Sequence, residues 1–561
     1  MIRRIKIVSL LFALLCICLI ARLSYWQIIR GKGLSREASS QYESSKVLFA
    51  NRGDIKASDG SYWAMGNEAW LVYANPQEIK ESPRSIALKL NQFFEEDSEE
   101  RLISFLEKKD LLWVPLKEKV SGEIKRGIEV LNISGIGFEV QETRFYPEAS
   151  VAAQLLGFVG KDEAGEDTGY FGLEGYYNLS LAGKPGFVGR EKDAAGAPIL
   201  LGGARQVTAV SGVDLTTSLD KRTQLTINRM LREGIERYGA KAGTVILMNP
   251  ENGNILGMES YPSYDPLKYW DYGDTYFKNP AISDSFEPGS VFKVLVMAAA
   301  LDAEAVKPDT KCDICDGPLK VDKYLIETWN KEYRPDSTMV DVLVHSDNVG
   351  MTFVGQKLGA DALYDYLDKF GIGRPTGIDL QGENAPALRK KGTWNVVDLA
   401  TASFGQGVAV TSMQMVRAVS AIANGGVLVT PRVVQKISGE GWEESGKVIP
   451  GKKVIEKETA EIITAMMVEA AKYGESQWTN LRGFKIAGKT GTAQIPIAGH
   501  YDPEKTNASF IGFAPYDKPK FVMLVTLKEP STSPWASETA APLWYLIAKD
   551  LFPYFGIQPE D

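Results

Sequence analysis

Histidine is almost missing from this chain of 561 residues: His345 and His500 are the only two. Imidazole metal centres need clustered ligands, and a Ser–His–Asp triad needs a histidine held against its serine. Two isolated histidines argue against both. Cysteine is scarce too, with four residues, which excludes a small domain stapled by disulfides. Basic charge is not in excess. Lys and Arg number 63 against 71 Asp and Glu, a formal net charge of −8, so a broad nucleic-acid-binding face is not expected. No internal repeat and no low-complexity tail is present. Hydrophobic residues at 44% and charged residues at 24% exclude disorder over most of the chain. The length fits three or four folding units.

The charge is unevenly placed. Residues 1–43 carry seven basic and two acidic side chains, a net of +5, which leaves −13 on the other 518 residues. The basic segment surrounds the single long apolar run. Ile7 to Ala21 is uncharged, and Leu23 to Ile29 resumes the run beyond Arg22. A spanning helix needs roughly 17–25 residues, and 7–29 supplies them if Arg22 snorkels. Tyr25 and Trp26 suit an interfacial belt, and Arg3, Arg4 and Lys6 keep the N-terminus cytoplasmic. Ile20-Ala21-Arg22-Leu23 is a poor cleavage site, and no small residue precedes Cys16 or Cys18. An uncleaved signal anchor with an extracytoplasmic body is therefore expected. Cys312 and Cys315 form Cys-Asp-Ile-Cys, either a local loop clip or two idle thiols. No metal site is expected.

Residues 44–205 read as extended, irregular modules. Charged helices are expected from Ser82 to Leu131, where Glu95-Glu96-Asp97 with Glu99-Glu100 would form a solvated face or turn. From Gly212 the character changes. Gly243–Met248 and Gly253–Met258 are strand-like around the turn Asn252-Gly253. Helices are expected at 291–305, 339–358, 360–370, 411–424 and 457–473. Strands follow near 507–514 and 520–528, then a helix near 540–551. Strands first and last with helices between predict an α+β domain whose antiparallel sheet joins both ends of the segment.

Three short motifs carry candidate chemistry. Ser290-Val291-Phe292-Lys293 follows Glu287-Pro288-Gly289 and opens an apolar run. Ser290 would stand at a helix N-terminus with Lys293 one turn later on the same face. A serine hydroxyl needs a base to become a nucleophile, and a buried lysine can be that base. Ser218-Leu219-Asp220-Lys221 has the same spacing but lacks the Pro-Gly turn, and reads as structural. Ser346-Asp347-Asn348 is the only Ser-x-Asn in the chain. Its hydroxyl can relay a proton and its amide can orient a lysine; alone, it would be a capping serine and a turn asparagine. Lys489-Thr490-Gly491-Thr492 follows a strand-like run. Its lysine can hold a carboxylate, and Gly491 admits a close backbone approach to a ligand; a hairpin turn is the bland alternative. The motifs occur in the order Ser-x-x-Lys, Ser-x-Asn, Lys-Thr-Gly, separated by 56 and 143 residues. That ordered set is shared by penicillin-binding proteins and class A β-lactamases.

The chain resembles a class B penicillin-binding protein, a peptidoglycan D,D-transpeptidase. Arg52-Gly53-Asp54-Ile55, Arg144-Phe145-Tyr146-Pro147, Gly157-Phe158-Val159-Gly160 and Gly172-Leu173-Glu174-Gly175 look like landmarks of its non-catalytic pedestal. Gly212 through Gln224 and Tyr261-Pro262 resemble the opening of its transpeptidase domain. The resemblance implies a cytoplasmic stub 1–6, an anchor 7–29, a dimerisation-type pedestal 30–205 and a β-lactamase-like transpeptidase domain 206–557. It implies Ser290 as nucleophile, Lys293 as base, Ser346, Asn348 and Lys489 as further catalytic residues, and Thr490, Gly491 and Thr492 in the carboxylate and oxyanion site. Ser346 would be linked to Lys489. No cofactor is implied. Implied ligands and partners are peptidoglycan stem peptides, β-lactams, and a SEDS-type glycosyltransferase with other division proteins at the bacterial cytoplasmic membrane. His345–Met351, Phe404-Gly405-Gln406-Gly407 and Ala423–Gly426 resemble the septal branch; elongation and sporulation paralogues share much of this pattern. No further repeats are expected beyond Asp561. Asp347 and Pro280 depart from the family pattern, the latter where many members carry Arg. A β-lactamase is usually shorter and lacks a pedestal, a β-lactam sensor needs more membrane helices, and a silent divisome scaffold predicts damaged motifs.

Overall fold

A computed structural model describes residues 2–31, 34, 43–94, 98–191, 204–446, 449–497 and 500–560. The chain divides into two units: Met1–Arg52 with Ala182–Gly212, and Gly53–Leu181 with Val213–Asp561.

In the first unit, an α-helix Ile2–Ser24 runs into a π-turn Tyr25–Ile29. The helix starts earlier than the apolar run because Arg3, Arg4 and Lys6 cost little at a solvated first turn. At 1.5 Å per residue its 28 residues span about 40 Å, enough for the hydrocarbon core of a bilayer. None of the helix is buried in protein. This is the one helix among the described residues long and apolar enough to cross a membrane. Strands Glu43–Leu48, Gly186–Glu191 and Ala204–Val207 form an antiparallel sheet in the same unit.

The second unit holds two large sheets. Residues 53–181 are more regular than the sequence predicts. Strands Ile55–Lys56, Tyr62–Ala74, Val114–Val120 and Ile136–Phe145 join Asp214–Thr217, Val434–Gly439 and Trp442–Ser445 in one seven-stranded sheet. Helices Pro83–Asn91, Glu99–Leu106 and Gly122–Val130 cover part of it, each capped by a serine (Ser82, Ser98, Ser121) whose oxygen takes a free N–H. The strand Val114–Val120 interrupts the stretch expected to be helical throughout. Glu99 and Glu100 open a helix, where acids favour the positive end of its dipole; Glu95-Glu96-Asp97 lie outside the described residues. The Arg-Gly-Asp, Arg-Phe-Tyr-Pro and Gly-Leu-Glu-Gly segments meet here. Buried Arg144 donates to Glu174 at 2.6 Å and to the Gly53 carbonyl at 2.9 Å.

The second sheet is antiparallel, in the order Ile255–Tyr261, Ala242–Met248, Phe521–Lys528, His500–Ala514, Ala487–Ile497. First and last strands are adjacent, as the strand placement predicts. Alternation divides the side chains between two cores. Val245 and Leu247 face Ile227, Leu231, Trp544 and Leu551. Those residues come from the helices Lys221–Tyr238, which the sequence reading did not identify, and Ala540–Tyr554. Ile246 and Met248 face the other core, built from Lys293–Asp302, Asn348–Leu358, Ser412–Ala423 and Lys457–Tyr473. Lys293–Asp302 is apolar all round and buried throughout Lys293–Leu301, as a central helix should be. The expected helix 339–358 is two helices, Met339–Val344 and Asn348–Leu358, broken at the second motif.

Arg144→Met alone strands the Glu174 charge in the core and is expected to cost about 3–5 kcal/mol, whereas Arg144→Met with Glu174→Leu should recover most of that loss. Denaturant unfolding followed by tryptophan fluorescence reads both.

Candidate active site

Ser290 sits in a 3₁₀ turn, Gly289–Phe292, that leads directly into the central helix. Pro-Gly makes this turn possible: Gly289 has φ +56°, and its N–H donates to the Gly405 carbonyl at 3.0 Å. A Cβ on Gly405 would stand 2.1 Å from the Gly289 oxygen. Glu287 accepts from the Gly407 N–H at 3.1 Å. The Phe404–Gly407 segment therefore braces the serine turn through contacts that side chains would block.

One turn on, the central helix carries Lys293 into the core with no exposed surface. Its Nζ donates to the Ser346 carbonyl at 2.6 Å and to Asn348 Oδ1 at 2.8 Å, and lies 3.3 Å from Ser346 Oγ. Burial, with the nearby Lys489 charge, lowers its pKa to about 7. A neutral amine has two N–H groups and one lone pair. The two shortest contacts use the N–H groups, which leaves the lone pair to accept a proton.

The break between helices places the second motif. Ser346 has φ +56°, a left-handed conformation rare for a residue with a Cβ. It aims both its carbonyl and its hydroxyl at Lys293. Asp347 caps the next helix through the Val349 and Gly350 N–H groups, at 2.8 and 3.1 Å. The cap is thus Asp347 and not Ser346, which explains the departure at the middle position. Asn348 Nδ2 donates to the Glu327 carbonyl at 3.0 Å, fixing which end of the amide faces the lysine.

Lys489, Thr490, Gly491 and Thr492 lie on the edge strand Ala487–Ile497 rather than in a hairpin turn. Lys489 is buried, and burial lowers its pKa, opposed by the charge of Glu475. Its Nζ donates to Thr490 Oγ1 at 3.0 Å and the Thr490 carbonyl at 3.2 Å; Thr490 Oγ1 donates in turn to Glu475 Oε2 at 2.6 Å. The expected bond between Ser346 and Lys489 is not made, because Thr490 takes the ammonium. Gly491 has no room for a side chain: a Cβ there would meet Ser509 Oγ at 2.7 Å, Val291 at 2.8 Å and the Pro288 carbonyl at 3.0 Å. Its bareness lets the strand lie against the serine turn. Thr492 Oγ1 accepts from the Ala536 N–H at 3.0 Å, so its own proton is free to donate.

Ser290, Ser346, Asn348 and Thr492 line one cleft, together with Gly289, Trp329, Phe404, Gln406, Glu475 and Trp535. Trp329, Glu475 and Trp535 were missed in the sequence because each sits in a loop without local pattern. The decoy serine behaves as expected: Ser218 is buried, and its hydroxyl donates to the Ile255 carbonyl at 2.7 Å. Asn279 caps the short helix Pro280–Ser283, where Pro280 occupies a first-turn position that needs no N–H. Cys312 and Cys315 are joined as a disulfide, the loop clip of the two readings.

Residues 243–552 match the family model described as penicillin binding protein transpeptidase domain, and residues 47–217 match the penicillin-binding protein dimerisation domain. The chain belongs to the class B penicillin-binding proteins, the peptidoglycan D,D-transpeptidases. It is 32% identical over 570 residues to the stage V sporulation protein D of Bacillus subtilis, covering all of this chain and 87% of that one. It is 29% identical to a probable peptidoglycan D,D-transpeptidase of Neisseria gonorrhoeae, covering 94% and 88%. The crystal structure of a peptidoglycan synthetase from Bifidobacterium adolescentis superposes with a TM-score of 0.75 at 26% identity, over 92% of this chain and 98% of that one.

If Lys293 is the base that takes the Ser290 proton in this penicillin-binding protein, only its neutral amine can do so. The rate of acylation by a penicillin should therefore rise with pH, reach half its plateau near pH 7, and fall about tenfold per unit below it. Stopped-flow acylation between pH 5 and 8 measures this; a flat profile would rule Lys293 out as the base.

Proposed function

We propose that Ser290 is the nucleophile of a two-step acyl transfer that cross-links peptidoglycan stem peptides. The buried Lys293 amine, held by Ser346 and Asn348 beside the serine turn, carries this reading. Ser290 Oγ attacks the carbonyl between the two terminal D-alanines, and its proton passes to Lys293. The backbone N–H groups of Ser290 and Thr492 receive the developing oxyanion. The proton moves on, with Ser346 as relay, to the departing D-alanine amine. An amine of a neighbouring stem then attacks the Ser290 ester. Its proton returns through Lys293 to Ser290, and the enzyme is restored. The Thr490 proton is already given to Glu475, so the donor's terminal carboxylate falls to Lys489 and Thr492, with Thr490 acting through Lys489. β-Lactams acylate the same serine.

The pedestal would span residues 30–205 and the transpeptidase domain 206–557, an assignment supported by the matched family models. The helix Ile2–Ile29 would be an uncleaved anchor in the bacterial cytoplasmic membrane, with the body outside and a SEDS-type glycosyltransferase as partner. A septal role in cell division is supported by the resemblance of His345–Met351 and Phe404–Gly407 to the septal branch. A sporulation role is the second reading, favoured by the full-length likeness to the sporulation protein.

A fluorescent penicillin should label the wild type and Ser218→Ala equally and leave Ser290→Ala unlabelled, with a signal lasting many minutes. Rapid loss of label as penicillin is consumed would instead mark a β-lactamase. Depleting the protein in growing cells is expected to give filaments with unfinished septa. Normal division with defective spores would carry the second reading.

A further inference from the structure

Of the ten residues that line the cleft, Glu475 alone bears a carboxylate or an ammonium group. Lys293 and Lys489 are buried and are not among the ten. Glu475 is also firmly placed. It follows Gly474, where a Cβ would strike the Ala470 and Val344 carbonyls at 2.3 and 2.7 Å, so the backbone here is pinned. Its Oε2 is held by the Thr490 hydroxyl, itself held by Lys489. Its Oε1 makes no hydrogen bond or ion pair among the described residues. One oxygen is therefore anchored, and the carboxylate lines the cleft with its other oxygen unbonded among the described residues.

The donor half of the reaction has no use for that oxygen. The donor ends in a carboxylate, and two anions side by side repel. The acceptor is different: its amine arrives from water as an ammonium ion. Trp329 and Trp535 line the same cleft as Glu475, both partly exposed, with ring centroids 5.4 Å apart. Indole faces attract cations. A fixed carboxylate that shares its cleft with indoles is the chemistry that recognises a primary ammonium. We infer that Glu475, in the cleft that Trp329 and Trp535 also line, docks the ammonium group of the acceptor stem peptide, takes one proton from it and passes it to water to free the attacking amine, and so selects cross-linking over hydrolysis. The inference rests on the transpeptidase reading above.

The test uses the full chain in detergent micelles, acylated by a D-alanyl thioester donor. Partition of the acyl-enzyme between aminolysis and hydrolysis is read with two nucleophiles: a stem peptide bearing a side-chain ammonium, and hydroxylamine, which is uncharged at neutral pH. The ratio is taken after the acyl-enzyme forms, so changes in acylation rate drop out. Glu475→Gln should lower the ratio roughly tenfold for the ammonium peptide, the size of a lost charge-assisted contact, and by less than about twofold for hydroxylamine. Glu475→Asp should keep most of the preference, and added salt should erode it in the wild type. An equal fall for both nucleophiles, or no fall in either, overturns the inference while leaving the transpeptidase reading intact. Failure of the wild type to form any acyl-enzyme overturns both.

Discussion

A lysine amine with no exposed surface is the constraint around which the second unit is arranged. Burying an unpaired ammonium is costly, and the chain lowers that cost by letting the amine be neutral. The central helix Lys293–Asp302 is apolar on every side, so whatever stands one turn after Ser290 is carried inside. Only two carbonyl-type acceptors and one hydroxyl meet the amine there. Two carboxylates, Glu475 and Asp347, act on it electrostatically, but neither pairs with it, and Asp347 spends its side chain on the cap of the following helix. The same burial that disfavours the charged lysine makes it a base at neutral pH.

Contacts between bare backbones set the distances among the three motifs. Gly405 lies against Gly289, and Gly491 against Pro288 and Val291. These approaches press the serine turn between the Phe404–Gly407 segment and the edge strand. The second motif reaches the lysine from another side, through the left-handed kink at Ser346. Each of the three motifs is thus anchored on a different element: a turn entering the central helix, a break between two helices, and a sheet edge.

Ser290 and Lys293 were legible as a pair because both lie within one helical turn, where spacing alone fixes their shared face. The five-stranded sheet was legible from β-branched runs at both ends of the segment. The helix Lys221–Tyr238 was not, although Ile227, Leu231 and Ile235 recur at a helical period, because the polar residues between them masked it. The strand Val114–Val120 was hidden by the consecutive charges Lys117-Glu118-Lys119, which interrupt its alternation of apolar residues. Glu475, Trp329 and Trp535 come from three loops, and nothing local to any loop foretells that they converge. The Ser346–Lys489 bond failed for a similar reason: the competing acceptor, Thr490, is the lysine's own neighbour, and family pattern gave no weight to it.

The strand Val434–Gly439 comes from the C-terminal half of the chain, yet it pairs with Asp214–Thr217, which in turn lies beside Ile55–Lys56. What reads along the sequence as one module after another is interleaved in space. Cutting the chain where the pedestal segment ends would strip strands from a shared sheet and leave unpaired edges, the surfaces on which β-proteins aggregate. Modularity of function in this protein therefore does not bring modularity of folding. The non-catalytic half cannot be traded for another by recombination at a single point, because part of its sheet is encoded more than two hundred residues further along the chain.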